Sequence, residues 1–449
     1  MNTRRLQCLT TLTLLATLAI TLQLSAQDKP QTRHGHQNYT VVDVGTFGGP
    51  NAYIFNGPPN FGFLNGSGIT VGHAGTTISD PYPVCWNGDC VVYHAFRYDD
   101  GRLRDLGALP GTNSSVGIGI NSLGLIAGIS ENSQVDPSTG YPETRAVVWN
   151  GHTITNLGTL GGNISVAASI NDLGQVAGAS ANNIPDDYAS ALGPCATYNC
   201  WPVATQLRAF LWTGGIMRDL GTLGGNDSAA SIINDRGQVT GVSYTNNTPN
   251  ATTGIPTQDP FFWESGRMQD VGTLGGTIGY PWWMNSNGQV VGQSNLVGDV
   301  YFHPFLWARG KLTDLGTLGG HRGAAYWINE AGVATGPSDI TGNSAFHATL
   351  WKDGRVIDLG ALPGYPLSSG FSINLQEQVV GFVATSDFSV FHAALLEHGN
   401  VIDLNNYVPQ GSGITLRVAY VINDDGEIVA EGTDANGDNR VYLLLPFGD

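Results

Sequence analysis

Short apolar stretches recur along the chain, each bounded by glycine, asparagine or aspartate. Three kinds repeat in fixed order. The first, DLGTLGG, starts at Asp43 (as DVGTFGG), Asp105, Asn156, Asp219, Asp270, Asp314, Asp358 and Asp403. The second, IN-x-x-G-x-V-x-G, carries Asn65, Asn121, Asn171, Asn234, Asn285, Asn329, Asn374 and Asn423. The third, HAFLW, starts at His94, Arg145, Arg208, Asp259, His303, His347, His392 and Arg440. Each series has eight members, and the last three intervals between first segments are 44, 44 and 45 residues. Short strands, glycine turns and a fixed period of this length predict propeller blades.

Each period supplies four strands. HAFLW is one, the run through DLG is the next, the stretch before IN is the third and QVVG is the fourth. In the Asn-x-x-Gly link, Asn favours the first turn position and Gly removes the steric penalty at the last. Glu377 replaces that Gly in one copy, which predicts backbone strain there. The expected fold is all-β: an eight-bladed β-propeller of four-stranded antiparallel blades over residues 39–449. The chain begins at DVGTFGG and ends at RVYLLL, a degenerate HAFLW. The first three strands and the final strand are therefore expected to share one closing blade. The alternative, a solenoid, needs capping repeats at both ends.

The segments resemble the HAF repeats of extracellular proteins. The resemblance rests on RAFLW at 208–212, HPFLW at 303–307 and HATLW at 347–351, each followed by DLGTLGG or DLGALPG. It runs from about residue 39 to about residue 445. It implies an extracellular, repeat-built protein of largely unassigned activity. The signatures of WD, Kelch and quinone-binding propellers fit less well.

Composition adds a compartment. Residues 1–26 read as a signal peptide, with Arg4 and Arg5 ahead of an apolar run and a small-residue cleavage point at Ser25-Ala26. Residues 27–38 read as a flexible segment. The expected destination is extracellular, or periplasmic in a bacterium. No other stretch is long enough for a membrane span. The 62 glycines and the 12% of charged residues suit tight turns and exclude disorder. The formal charge is −17, and becomes −19 once Arg4 and Arg5 are removed. Such a surface repels phosphate backbones, which leaves cations and neutral ligands as partners. The chain is expected to be a monomer.

Four cysteines remain after the signal, as Cys85 with Cys90 and Cys195 with Cys200. An even count in a secreted chain favours disulfides, and the rival zinc reading lacks both the usual spacing and a histidine.

An active site is needed once, so a residue type present in every copy reads as scaffold. The repeated His or Arg of HAFLW and the Asp of DLG are expected to pair, and Asp259 breaks that pattern. Insertions at 73–93, 129–144, 179–207 and 242–258 build up one face of the first four copies. Three residues before each Asn, the later copies carry Trp282, Tyr326, Phe371 and Tyr420, with Trp283 and Trp327 following the first two. This arc could stack sugar rings or fill the space between blades. His321 and Arg322 are singular to their copy and are its polar companions. Asp434, Asn436 and Asp438 alternate as Ca²⁺ ligands do, or form an ordinary turn. The functions left standing are a glycan-binding or interaction module, a carbohydrate-active enzyme and a matrix component. No nucleophile elbow, zincin helix or paired-carboxylate motif supports the enzyme.

Overall fold

A computed structural model describes residues 38–54, 62–82, 88–192 and 202–447. The signal sequence, residues 27–37, Cys85, Cys195 and Cys200 lie outside the described residues.

Each repeat forms consecutive antiparallel strands. In the Asn121 repeat these are Ser115–Ile120, Ile126–Val135, Pro142–Asn150 and Thr153–Asn156, hydrogen-bonded in that order. Five sheets are four-stranded units. The repeats of Asn234, Asn285 and Asn329 are linked into one thirteen-stranded sheet by parallel bridges, Gln258 to Ile278 and Phe302 to Arg322. The architecture is all-β and of propeller type. Among the described residues, no helix is long and apolar enough to cross a membrane.

The local motifs explain the strands. Gly178 of a QVVG-type run lies so close to its neighbour that a Cβ there would sit 2.0 Å from the Val166 carbonyl and 3.0 Å from the Phe210 ring. The glycine thus makes room for the aromatic residue of HAFLW. Phe210 is fully buried, in a cluster with Ala127, Val148, Ile170 and Val176 from two adjacent sheets. Glu377 does adopt the left-handed φ of 61° that the missing glycine implied.

The first and last described strands enter one sheet, ordered Asn38–Asp43, Asn439–Phe447, Ile428–Thr433, Thr415–Ile422. The division differs from the expected one, because one N-terminal strand joins the last three. Residues 38–43 are the strand that pairs with the HAFLW-type run, and Gly48–Tyr53 already opens the next sheet. Tyr39 is 3% exposed and packs with Leu404, Leu416 and Tyr442, so the first strand is part of the core.

The repeat asparagines are buried and bonded to one another. Each side-chain amide donates from Nδ2 to the backbone carbonyl of the asparagine in the next repeat. Asn65 donates to Asn121 (3.1 Å), Asn121 to Asn171 (2.9 Å), Asn171 to Asn234 (2.9 Å) and Asn234 to Asn285 (3.2 Å). Asn285 donates to Asn329 (3.1 Å), Asn329 to Asn374 (2.9 Å), Asn374 to Asn423 (3.2 Å) and Asn423 back to Asn65 (3.2 Å). The eight bonds form a cycle. Each Oδ1 meanwhile caps its own turn; that of Asn171 accepts from the N–H groups of Leu173 and Gln175.

The expected pairing across HAFLW and DLG is present. His94, His303, His347 and His392 each bring Nδ1 within 2.6–3.1 Å of Asp105, Asp314, Asp358 and Asp403. Arg208 pairs with Asp219 at 3.0 Å. The same Asp accepts from a glycine two residues on, as in Gly107 to Asp105 at 2.7 Å. In the Asp259 copy two carboxyl groups face each other instead. Burial, then the Asp270 carboxylate, push Asp259 up to about 7. A carboxyl raised in the fold favours the folded state while protonated. Its contribution is present below the ordinary carboxyl range and is lost as pH rises toward 7. Asp259→His should therefore be neutral or stabilising at neutral pH, by a few degrees in thermal melts. Its melting temperature should also fall less than that of the wild type between about pH 5 and pH 8. A clear loss of stability would refute the pairing.

Candidate ligand site

Within the described residues, each of the four insertions lengthens the ladder. Strands such as Thr70–Ser79, Ile126–Val135, Val176–Pro185 and Val239–Pro249 run past the length of their later counterparts, for example Val379–Ala384. Each extension ends at an Asp or Asn whose side chain caps its own turn, as Asp80 does for Tyr82 and Asp136 for Ser138. Two tips reach the loop of the next repeat. Tyr82 donates to Asn113 Oδ1 (3.1 Å), and Asp186 Oδ2 accepts from Asn226 (2.7 Å).

In the later repeats the aromatic residues divide between two faces. Successive side chains of a strand point to opposite sides, so Trp282 and Trp283 separate, as do Tyr326 and Trp327. Trp283 stacks on Trp327 with ring centroids 3.8 Å apart and planes at 13°. The two line a cavity of about 340 Å³ beside the Asn-x-x-Gly turns, with Asp172, Asp235 and Glu330. On the other side Trp282 stacks on Tyr280 at 5.5 Å. Its Nε1 donates to Gln293 (3.3 Å), and it is 9% exposed. Tyr326 meets its edge at 6.0 Å, Phe371 follows at 5.7 Å and Tyr420 at 5.5 Å. The expected arc is thus a chain of ring contacts across four repeats. Its ends are packed: Trp282 lies beneath Tyr280, and Tyr420 lies against Glu431, whose carboxyl burial pushes up to about 8.

The middle of the arc is open. Tyr326 and Phe371 line a cavity of about 320 Å³ with Phe302, Phe346 and Phe382. Burial pushes the Tyr326 hydroxyl up to about 12. Three polar groups enter this lining. Arg322 places its guanidinium carbon 6.0 Å from the Phe302 ring centre, and among the described residues no hydrogen bond or ion pair holds that guanidinium. Asp339 lies on the same wall, its carboxyl raised by burial and partly offset by the Arg322 charge. Ser369 is 2% exposed, and its Oγ has no hydrogen-bond partner among the described residues. Phe388, 51% exposed, stacks on Phe346 at 6.1 Å and carries the aromatic surface outward.

His321 stands apart from this lining. Its ring packs on Tyr301 at 4.2 Å, and Asn343 meets its Nδ1 at 3.2 Å. Phe302, Phe346, Phe382, Asp339 and Ser369 were not singled out by sequence. Phe382 carried a signal, since the position after the QVVG glycine holds Ile129, Ala179 and Val242 in early repeats. Asp434, Asn436 and Asp438 form a hairpin turn. Asp434 Oδ1 accepts from the N–H groups of Asn436 and Asp438, and Oδ2 pairs with Arg440 at 3.0 Å. These contacts are those of the ordinary turn, one of the two alternatives for these three residues. Cys90 lies at the edge of the described residues with a φ of 53°.

No family model matches the chain, and no curated protein matches it. Solved structures give distant likenesses. Porphyromonas gingivalis dipeptidyl peptidase 4 is 9% identical with a TM-score of 0.43, over 80% of this chain and 50% of that one. The chain therefore spans half the length of that peptidase. TolB from Acinetobacter baumannii is 11% identical with a TM-score of 0.33, over 85% and 80%. Trypanosoma rangeli sialidase, in complex with the inhibitor DANA, is 10% identical with a TM-score of 0.31, over 78% and 57%. Likenesses at this level say nothing of chemistry.

The packed and open parts of the arc should separate on mutation. Trp282→Ala should cost about 3 kcal/mol, as loss of a buried Trp does. Phe388→Ala, at an exposed ring, should cost less than about 1 kcal/mol. Chemical denaturation of both variants measures the difference.

Proposed function

We propose that this chain is a secreted, closed eight-bladed propeller that binds a glycan in the cavity between the Asn329 and Asn374 repeats. One observation carries the reading: an aromatic-walled cavity holds a buried, unpartnered hydroxyl on Ser369 and an unpaired guanidinium on Arg322. Aromatic faces accept the apolar C–H face of a sugar ring. Its hydroxyls need both donors and acceptors, which Arg322, Ser369 and Asp339 supply. A mostly apolar pocket with a few convergent polar groups is the usual form of a small-ligand site. A buried hydroxyl without a partner is costly unless something arrives to satisfy it. The apolar segment at 12–22 supports secretion, the asparagine cycle supports eight blades, and the cysteine spacing supports a disulfide within each of the two stapled hairpins.

A glycan array on the wild type identifies the sugar, and titration calorimetry measures it against variants. Arg322→Ala and Ser369→Leu, which fills the cavity, should each weaken binding about tenfold or more, with little change in melting temperature. The sugar should be recovered unaltered. Binding that survives both substitutions would place the site elsewhere, and conversion of the sugar would favour the enzyme.

The closed architecture has its own test. Deleting residues 39–49 removes the first strand and Tyr39 with it, and should abolish cooperative unfolding. A folded, cooperative deletion variant would overturn closure.

A further inference from the structure

The position that holds Arg322 in the ligand-site repeat holds Asp227 in the Asn234 repeat. Pro58, Ser114, Ile164, Ile278, Leu367 and Leu416 occupy it elsewhere. Asp227 is thus a second singular charge, and it lies beneath the third extended hairpin.

Its surroundings are unusual for a carboxylate. Asp227 is 0% exposed. Oδ1 accepts from the Leu207 N–H (2.7 Å), whereas Oδ2 is buried and no donor reaches it among the described residues. The neighbouring group is another carboxylate, that of Asp186, which accepts from Tyr188 N–H and Asn226 Nδ2, both at 2.7 Å. The two aspartates line a cavity of about 340 Å³ with Asp187, Tyr188, Asn226 and Asn247, and among the described residues no Lys, Arg or His borders it. The basic group nearest in effect is Arg208, already committed to Asp219 (3.0 Å) and to the Asn226 carbonyl (3.1 Å). Burial, and then Asp186, push Asp227 up to about 7.

Two facing carboxyl groups are relieved by a shared proton or by a cation. A shared proton needs no cavity. Here the residues beside the carboxylates are Tyr188, Tyr244, Asn226, Asn247 and two prolines, which offer oxygen atoms and, among the described residues, no thiol or imidazole, a lining suited to hard cations.

We propose that Asp186 and Asp227 hold a divalent cation, Ca²⁺ by its donor set, which pins the third hairpin to the loop of the following repeat. Among the described residues no three His, Cys, Asp or Glu side chains converge. The ion therefore keeps water in its remaining positions, and the affinity belongs to the weak range of extracellular modules, about 0.1–1 mM. Asp227 Oδ2 supplies the fully buried, unsatisfied ligand that a surface cluster of acids would lack. The inference is independent of the glycan reading, because the two cavities share no residue.

The test uses the whole secreted chain, stripped with chelator and held near pH 8, above the raised Asp227 carboxyl. Calorimetric titration with CaCl₂ should show one site of submillimolar affinity. Millimolar CaCl₂ should raise the melting temperature by several degrees. Asp186→Asn and Asp227→Asn should each remove both effects while keeping the circular dichroism spectrum of the wild type. A wild type that responds to neither CaCl₂ nor MgCl₂, with Asp227→Asn equally or more stable, would establish the shared proton and overturn the proposal. A Ca²⁺ response that persists in both variants would overturn it as well.

Discussion

Each repeat asparagine uses both ends of one side-chain amide. Its oxygen closes the turn it begins, and its nitrogen reaches the carbonyl of the corresponding residue one repeat away. The two demands leave little choice of residue. Aspartate would keep the turn and lose the donor. Glutamine would carry both groups on a stem one methylene too long for the turn. A buried amide left half-satisfied costs free energy at every copy. The register of every inner strand is therefore tied to the next through a short polar contact, and the apolar clusters between sheets pack on a geometry already set.

The strands, their order and the His–Asp pairs were legible because they follow from local pattern. The asparagine cycle was not, since its partners lie 44 to 63 residues apart, or 358 where it closes. A second link between repeats was written in the sequence and can be read only beside the structure. In four of the five copies where HAFLW has Ala at its second position, that N–H donates to a serine of the next repeat: Ala95 to Ser115, Ala146 to Ser165, Ala209 to Ser228 and Ala348 to Ser368. Where proline removes the N–H, at Pro260 and Pro304, the partner is Gly279 or Gly323, and a Cβ there would strike the proline ring. The aromatic arc was legible as residues, but not which of them pack between repeats and which line an opening. The two-residue pleat sends Trp283 and Trp327 away from Tyr326, which leaves a narrower opening whose floor, Ser369, no motif marks.

Differentiation of the copies follows from what the scaffold leaves free. The residue that enters each inner strand lies between two repeats and takes no part in the asparagine cycle. Most copies fill it with an apolar or small residue. Two copies fill it with charge, Asp227 and Arg322, and a cavity opens beside each. The early repeats extend their hairpins over this region, and the later ones leave it bare.

A cycle has no first member. The bond from Asn423 to Asn65 is made of the same atoms, at a similar distance, as the seven bonds between repeats adjacent in the chain. The hydrogen bonds do not register where the polypeptide is interrupted. The break between the last repeat and the first is thus a matter of covalent order alone, and a circular permutant opened at another tight turn retains every member of the cycle. Loss of one repeat, in contrast, leaves a donor and an acceptor facing across a gap they cannot span. Such a ring tolerates a new starting point far better than a new length.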